Sequence, residues 1–239
     1  MKVFVSIAIW VNIAVVTIAA FFVELFLSIA LFHFDKKRKI VHAQCFWWAN
    51  SIINLNPFWK FSISGLENID SRKAYVVIAN HQSLADIIVM YKTHMQFKWV
   101  AKESAFKVPF IGSMLYFGKH IKLLRGNFGS IKKAYREAAD WLRNDMSVVF
   151  FPEGTRSETG KINEFQNGAF KLAIKEKKPV LPIVIKGTRE AIPKGEWIFK
   201  TKVYVKLKVL PSIDTKDFKP ADFALLRDIV REKLISQCF

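Results

Sequence analysis

The chain is poor in cysteine and in acid. Of its 239 residues only Cys45 and Cys238 are cysteines, with no C-x-x-C pair, so neither a zinc site nor a disulfide framework is indicated. Two isolated thiols fit a reducing cytoplasmic environment. Asp and Glu together number 20 against 37 Lys and Arg, which leaves a formal net charge of +17. That excess calls for an anionic partner, and either nucleic acid or an anionic membrane surface would answer it. Zinc-finger spacing, RNP-type aromatics and basic heptads are all missing, so the nucleic-acid reading rests on charge alone and is set aside. Equally absent are a Gly-x-Ser-x-Gly elbow, a G-x-G-x-x-G turn and a Walker sequence, which argues against a serine hydrolase and a nucleotide fold. No metal-ligand cluster is evident, and neither a metal nor another cofactor is expected.

Apolar residues are plentiful. They make up 51% of the chain, with 22 Phe and 7 Trp, which is rich for a soluble domain and suggests that some apolar surface faces lipid. From Val3 to Phe34 the sequence is almost continuously apolar, interrupted only by Asn12, Glu24, His33 and small hydroxyl residues. At ~1.5 Å per residue, a helix of that length exceeds the ~30 Å hydrocarbon core of a bilayer. A signal peptide is the poorer reading, because the run is too long and no small-x-small cleavage site follows. Lys36-Lys37-Arg38-Lys39 comes next, a basic cluster of the kind held at a cytoplasmic membrane face. Glu24 favours a helix that dips into one leaflet over one that spans, since a carboxylate at the bilayer centre is costly.

Residues 40–61 interleave Phe46, Trp47, Trp48, Ile52, Ile53, Leu55, Phe58 and Trp59 with Gln44, Asn50, Ser51, Asn54, Asn56 and Lys60. Trp and Lys at this density suit headgroups, so the expectation is an interfacial amphipathic helix ending near Pro57. A core helix with its aromatic face inward is the alternative. Residues 1–60 are therefore expected to form membrane-binding helices and 61–239 an α/β domain. Within the latter, Ser130 is a candidate N-cap for a helix with Ile131, Ala134, Tyr135, Ala138, Trp141 and Leu142 on one face. Val203, Val205, Leu207 and Val209 alternate with polar residues as a strand does, and Phe223, Leu226, Val230 and Leu234 stripe a closing helix.

Chemistry concentrates in two places. The apolar run Tyr75-Val76-Val77-Ile78-Ala79 reads as a buried strand, and it delivers Asn80-His81-Gln82-Ser83-Leu84-Ala85-Asp86. An imidazole is the side chain best suited to take a proton from an alcohol near neutral pH, and a nearby carboxylate fixes its tautomer. A second such run, Ser147 to Phe151, leads into Pro152-Glu153-Gly154-Thr155-Arg156-Ser157, with a planar guanidinium suited to phosphate. None of His33, His42, His94 and His120 has a carboxylate at comparable spacing. His33 and His42 flank the basic cluster, at what would be the membrane surface.

The two segments, in this order, resemble the glycerolipid acyltransferase family, and most closely the 1-acyl-sn-glycerol-3-phosphate acyltransferases. That family has an Asn-His-x-x-x-x-Asp block, a segment ending in Arg, a Phe-Pro-Glu-Gly-Thr-Arg-Ser block and an apolar stretch with Val-x-Pro. The counterparts here are Asn80 to Asp86, Gly118 to Arg125, Phe151 to Ser157, and Val180-Leu181-Pro182-Ile183. The first and third match in full. In the second, Lys122-Leu123-Leu124-Arg125 stands where the family commonly has Phe-Ile-Asp-Arg, so only Arg125 and the preceding Ile121 carry over. A Lys that often precedes the family's later Gly-Ala pair is replaced by Gln166, ahead of Asn167-Gly168-Ala169. The resemblance covers roughly residues 60 to 215.

It implies a mixed sheet flanked by helices, and transfer of an acyl group to the sn-2 hydroxyl of lysophosphatidate, making phosphatidate. Acyl-CoA or acyl carrier protein would be the donor. His81 is then the candidate general base, oriented by Asp86. Arg156, Arg125 and Lys102 are candidates for the acceptor's phosphate, with Glu153, Gly154 and Thr155 meeting the glycerol or shaping the loop. Within the same family, a glycerol-3-phosphate or other lysophospholipid acyltransferase is the second reading. From another class, a noncatalytic basic membrane-binding protein is the third.

Overall fold

The computed structural model describes residues 2–56, 59–191, 195–199 and 202–238. Two helices come first, α1 (Lys2–Ala30) and α2 (Lys39–Asn54), then strand β1 (Trp59–Ser64). Strands and helices alternate from there: β2 (Val76–Ala79), α3 (Ala85–Met90), β3 (Phe97–Lys102), α4 (Ile111–Phe117), β4 (Ile121–Leu123) and α5 (Phe128–Arg143). The series continues with β5 (Ser147–Phe150), α6 (Gly168–Lys175), β6 (Val180–Lys186), α7 (Thr188–Ala191), β7 (Val203–Val209) and α8 (Phe223–Cys238). The expected boundary at residue 60 thus falls within β1. Among the described residues the strands form one sheet in the order β1-β7-β6-β2-β5-β3-β4. Every neighbouring pair is parallel except β6 with β7, so the sheet is mixed.

Strands buried on both faces read as continuous apolar runs, and β2 is one: Val76 through Ala79 are all fully buried. Alternate side chains serve opposite cores. Tyr75, Val77 and Ala79 join Val149, Leu181 and Ile183 under α1, α2 and α3, whereas Val76 and Ile78 join Val148, Phe150 and Val184 under α5, α6 and α8. After β2 the chain moves outward to β3 and β4, returns to place β5 against β2, then crosses to β6 on β2's other side. Chain direction across the sheet therefore reverses at β2 and β5. Such a reversal opens a crevice at the carboxyl ends of the two strands. Both candidate loops emerge there.

The N-terminal helices depart from expectation in informative ways. α2 is chiefly a core helix: Val41, His42, Cys45, Trp48, Ala49, Ile52 and Ile53 are buried, while Trp47, Ile40 and Leu55 point outward. The interfacial reading of residues 40–61 is corrected accordingly, and His42 lies in the core among Phe46, Tyr91 and Phe97 rather than at a surface. The helix ends at Asn54; Pro57, where the end was expected, lies outside the described residues. Arg38 of the basic cluster is buried too, donating Nη1 to the Ser28 carbonyl at 3.2 Å. The Asp35 carboxylate accepts the backbone N–H groups of Lys39, Ile40 and Val41 at 2.7, 2.8 and 3.1 Å. That satisfies donors the first turn of α2 would otherwise leave open.

α1 turns its polar side inward. Ser6, Thr17, Ala20, Glu24 and Ser28 are buried, while Phe4, Val11, Val15, Phe22, Phe26 and Ile29 are exposed, Phe26 at 69%. Thr17 Oγ1 accepts from Trp48 Nε1 at 3.1 Å and Glu24 Oε2 from Gln44 Nε2 at 3.0 Å. Sheltered on α2, the Glu24 carboxylate does not face outward, and its desolvation is met inside the protein, where burial raises its pKa to about 8 against the opposing Gln44 hydrogen bond. α5 carries its expected stripe, but its N-cap is Asn127, whose Oδ1 accepts from Ser130 N at 2.8 Å. Ser130 sits inside the first turn, its Oγ accepting from Leu124 N.

Candidate active site

Asn80 fixes the point where the chain leaves β2. Its Nδ2 donates to the Ile185 carbonyl at 2.7 Å and its Oδ1 accepts the Ile185 N–H at 2.8 Å, so a side chain prolongs the β2–β6 ladder beyond Ala79 and Ile183. The fourth motif block is β6 itself, with Pro182 opposite Ile78. Its part in the site is to support this exit.

His81 follows, and every part of it but one is engaged. Its N–H donates to Glu153 Oε1 at 2.7 Å and its carbonyl accepts from Ser157 N at 2.9 Å. The ring lies flat on Phe151, centroids 4.1 Å apart and planes 15° from parallel, and Phe151 in turn stacks on Trp99 at 5.6 Å. Nδ1 lies 2.7 Å from Asp86 Oδ2. That oxygen also accepts the backbone N–H groups of Gln82 at 2.6 Å and Ser83 at 2.9 Å. With two N–H donors already on it, Oδ2 meets the ring as an acceptor, so Nδ1 carries a hydrogen and Nε2 is the nitrogen turned away from the carboxylate. Asp86 is fully buried, whereas the His81 side chain keeps 15% of its surface open. A neutral imidazole with a free Nε2, held from the opposite side by a carboxylate, can take a proton from a hydroxyl.

The Phe151–Ser157 loop is therefore the second wall of the site, brought to His81 because β5 lies beside β2. Glu153 turns both of its carboxylate oxygens to backbone. Its Oε1 takes the His81 N–H and its Oε2 the Asn163 N–H at 2.9 Å, so both oxygens are spent on backbone and shape the loop. Burial raises its pKa, and the two backbone donors oppose that shift. Gly154 has φ of 70°, in the left-handed region, and a Cβ there would meet nothing within 4 Å. Backbone conformation, not crowding, requires glycine. Thr155 is exposed and Arg156 half-buried in the same loop, immediately before the Ser157 that bonds His81.

Lys102 and Arg125 are more distant. Lys102 ends β3 and Arg125 lies two residues past β4, both exposed. At ~4.8 Å per strand they stand about 10 and 14 Å along the sheet from β2, on its carboxyl edge. His120 is half-buried, its Nδ1 accepting the Trp99 N–H at 3.0 Å. No cluster of three or more metal-ligating side chains occurs among the described residues. The sequence reading passed over Phe151 as a stacking partner and Asn80 as a clamp. An Asn closing an apolar run was the available signal for the second.

Residues 60–186, more than half of the chain, match the acyltransferase family. The chain belongs to that family. Among its relatives, the chloroplastic 1-acyl-sn-glycerol-3-phosphate acyltransferase of Brassica napus is 35% identical over 68% of this acyltransferase and 47% of its own length. The chloroplastic enzyme of the same name from Arabidopsis thaliana is 36% identical over 66% and 44%. This acyltransferase thus spans about half the length of those curated relatives. Among solved structures, the 1-acyl-sn-glycerophosphate acyltransferase PlsC of Thermotoga maritima superposes with a TM-score of 0.83 at 29% identity, covering 99% of this chain and 96% of that one. The resemblance read from the motif blocks and the α/β class with a mixed sheet both stand.

Proposed function

We propose that this chain transfers a fatty acyl group from an acyl thioester to the free sn-2 hydroxyl of lysophosphatidate, giving phosphatidate. The observation that carries the reading is the 2.7 Å contact of His81 Nδ1 with Asp86 Oδ2, which leaves Nε2 as the open base. Support also comes from relatives named for the same transfer. In the proposed step Nε2 accepts the hydroxyl proton while the oxygen attacks the thioester carbonyl carbon. Asp86 steadies the imidazolium so formed. The tetrahedral adduct collapses with expulsion of the thiolate, which takes the proton from Nε2, and the base is restored. Transfer is direct, within a ternary complex; both cysteines are buried and form no disulfide.

Arg156 is the first candidate for the acceptor's phosphate, because it shares a loop with His81's backbone partners. Arg125 and Lys102 follow. The donor is acyl-CoA or acyl carrier protein, both anionic and both suited to a chain of charge +17. An anionic lipid surface is the third partner, met by the apolar outer face of α1 and the cationic residues Lys36, Lys37 and Lys39. α1 is bonded to the rest of the protein along its length, from Ser6 with Phe199 and Trp10 with Trp197 to Ser28 with Arg38. A helix so tied lies along a leaflet and does not stand across it, since a span would drag the catalytic domain into hydrocarbon. The positive cluster supports a site on the cytoplasmic side, at the inner membrane in a bacterium.

A radiolabelled acyl-donor assay against lysophosphatidate, glycerol 3-phosphate and other lysophospholipids tests the substrate assignment. His81→Ala and Asp86→Ala are expected to lower kcat by about 10²–10⁴. Wild-type turnover in both would remove the pair as the base, whereas an intact chain that turns over no acceptor would be a noncatalytic lipid-binding protein.

A further inference from the structure

The segment that holds His81 has no regular structure of its own. From Phe151 to Asn167 the chain contains neither helix nor strand, a length uncommon for a connection inside a compact domain. Yet it supplies the Glu153 carboxylate, the Ser157 N–H and the Phe151 ring to His81. Glu153 depends in turn on the Asn163 N–H in the segment's second half. Whatever fixes Asn163 therefore fixes the carboxylate that receives His81.

That support comes from the far end of the chain. Arg231 on α8 donates Nε to the Asn163 carbonyl and Nη2 to the Ile162 carbonyl, both at 3.1 Å. One turn earlier, Arg227 donates Nη1 to Asn167 Oδ1 at 2.8 Å, where the segment enters α6. Leu226, Val230 and Leu234 bury α8 against the sheet's second core, so the guanidinium is delivered from a rigid element. A planar fork reaches two successive carbonyls; an ammonium offers a point charge. Ile162 and Phe165 are buried beside it, which keeps the segment attached even without the arginine.

We propose that Arg231 is a positioning residue for the His81 imidazole, acting through Asn163 and Glu153, with Arg227 pinning the segment's exit. Neither arginine lies within residues 60–186, which carry the family match. The inference rests on His81 being the base and adds to that reading a determinant from outside the motif blocks.

The test compares Arg231→Met and Arg231→Lys with the intact full-length chain, by steady-state kinetics, thermal unfolding and amide hydrogen exchange at residues 81 and 163. Arg231→Met is expected to fold, to exchange faster at both amides, and to lose about 10- to 100-fold in kcat. The KM for donor and acceptor should stay within about twofold. Arg231→Lys should fall between it and wild type, and methylguanidinium should restore part of the turnover of Arg231→Ala. Unchanged kcat in Arg231→Met overturns the proposal, as does a loss that resides in KM or merely follows the melting temperature. Should the Met variant fail to fold, Arg231→Lys alone decides by the same readings. The two ideas fail separately. Turnover surviving in His81→Ala removes the base, while an inactive His81→Ala beside a wild-type-like Arg231→Met removes only the brace.

Discussion

A histidine side chain turns about two bonds, and both are stopped here. The Asp86 oxygen fixes the ring's edge and the Phe151 ring fixes its plane, so Nε2 is aimed before any substrate arrives. Aim of this kind is where much catalytic rate originates. His81 and Asp86 were legible as a pair because five residues around a strand end bring them together locally. The fate of Glu153 was not, since a sequence does not say which atoms a carboxylate will meet. Its His81 partner exists only once β2 and β5 lie side by side, and its Asn163 partner only once the loop after β5 folds back on itself. For Arg156, the expected outcome of Arg156→Ala is a raised KM for the phosphorylated acceptor with kcat little changed. Steady-state kinetics varying each substrate in turn checks this. A change confined to the donor would count against the contact.

At the scale of elements, α1 is the anomaly. A helix on a soluble domain buries its apolar stripe, whereas this one buries Ser6, Thr17, Glu24 and Ser28 and presents Phe and Val outward. An exposed apolar strip of that length marks an interaction surface. Phe22→Lys combined with Phe26→Lys should therefore weaken binding to anionic vesicles, each phenylalanine withdrawing about 1.5–3 kcal/mol of apolar burial. Co-sedimentation with vesicles at several salt concentrations measures it. Undiminished binding would move the contact to another surface. The sequence announced an apolar helix here but not which side was covered, because nearly every residue in the run is apolar and periodicity carries little contrast. For α2 the same poverty of contrast misled. Trp48, Ile52 and Ile53 read as headgroup anchors until the sheet supplied a core for them.

Across the whole molecule, the two N-terminal helices and the sheet share one interior, and titratable groups are sealed inside it. Burial lowers the His42 pKa to about 3, helped by the nearby Lys98 charge, and burial likewise pushes His120 well below its usual value. An unfolded chain would bind those protons first. Stability from each group is thus complete above about pH 6.5 and is lost as pH falls toward the folded-state value. Glu153, whose burial raises its pKa, works in the opposite sense, so the diagnostic quantity is a difference. Denaturant unfolding of wild type and His42→Phe between pH 7 and 4.5 should diverge. Wild type is expected to lose about 1.4 kcal/mol more per pH unit than the variant below pH 6.5. Parallel curves would mean that His42 titrates normally.

The amino-acid order alone determined strands β2, β5 and β7, the motif blocks, the His81–Asp86 pair and the excess of positive charge, for these depend on neighbours a few residues apart or on composition. Helix α8 was legible as a stripe of Leu226, Val230 and Leu234, but its arginines were silent. Only the tertiary structure decided that β5 would settle against β2 and carry Phe151, Glu153 and Ser157 to His81. It likewise decided that α1 would face inward with its polar side and that Arg231 would reach a loop some seventy positions earlier. Such contacts join residues far apart in the chain. Their partners are chosen by the packing of the sheet and its two cores, which no local pattern encodes.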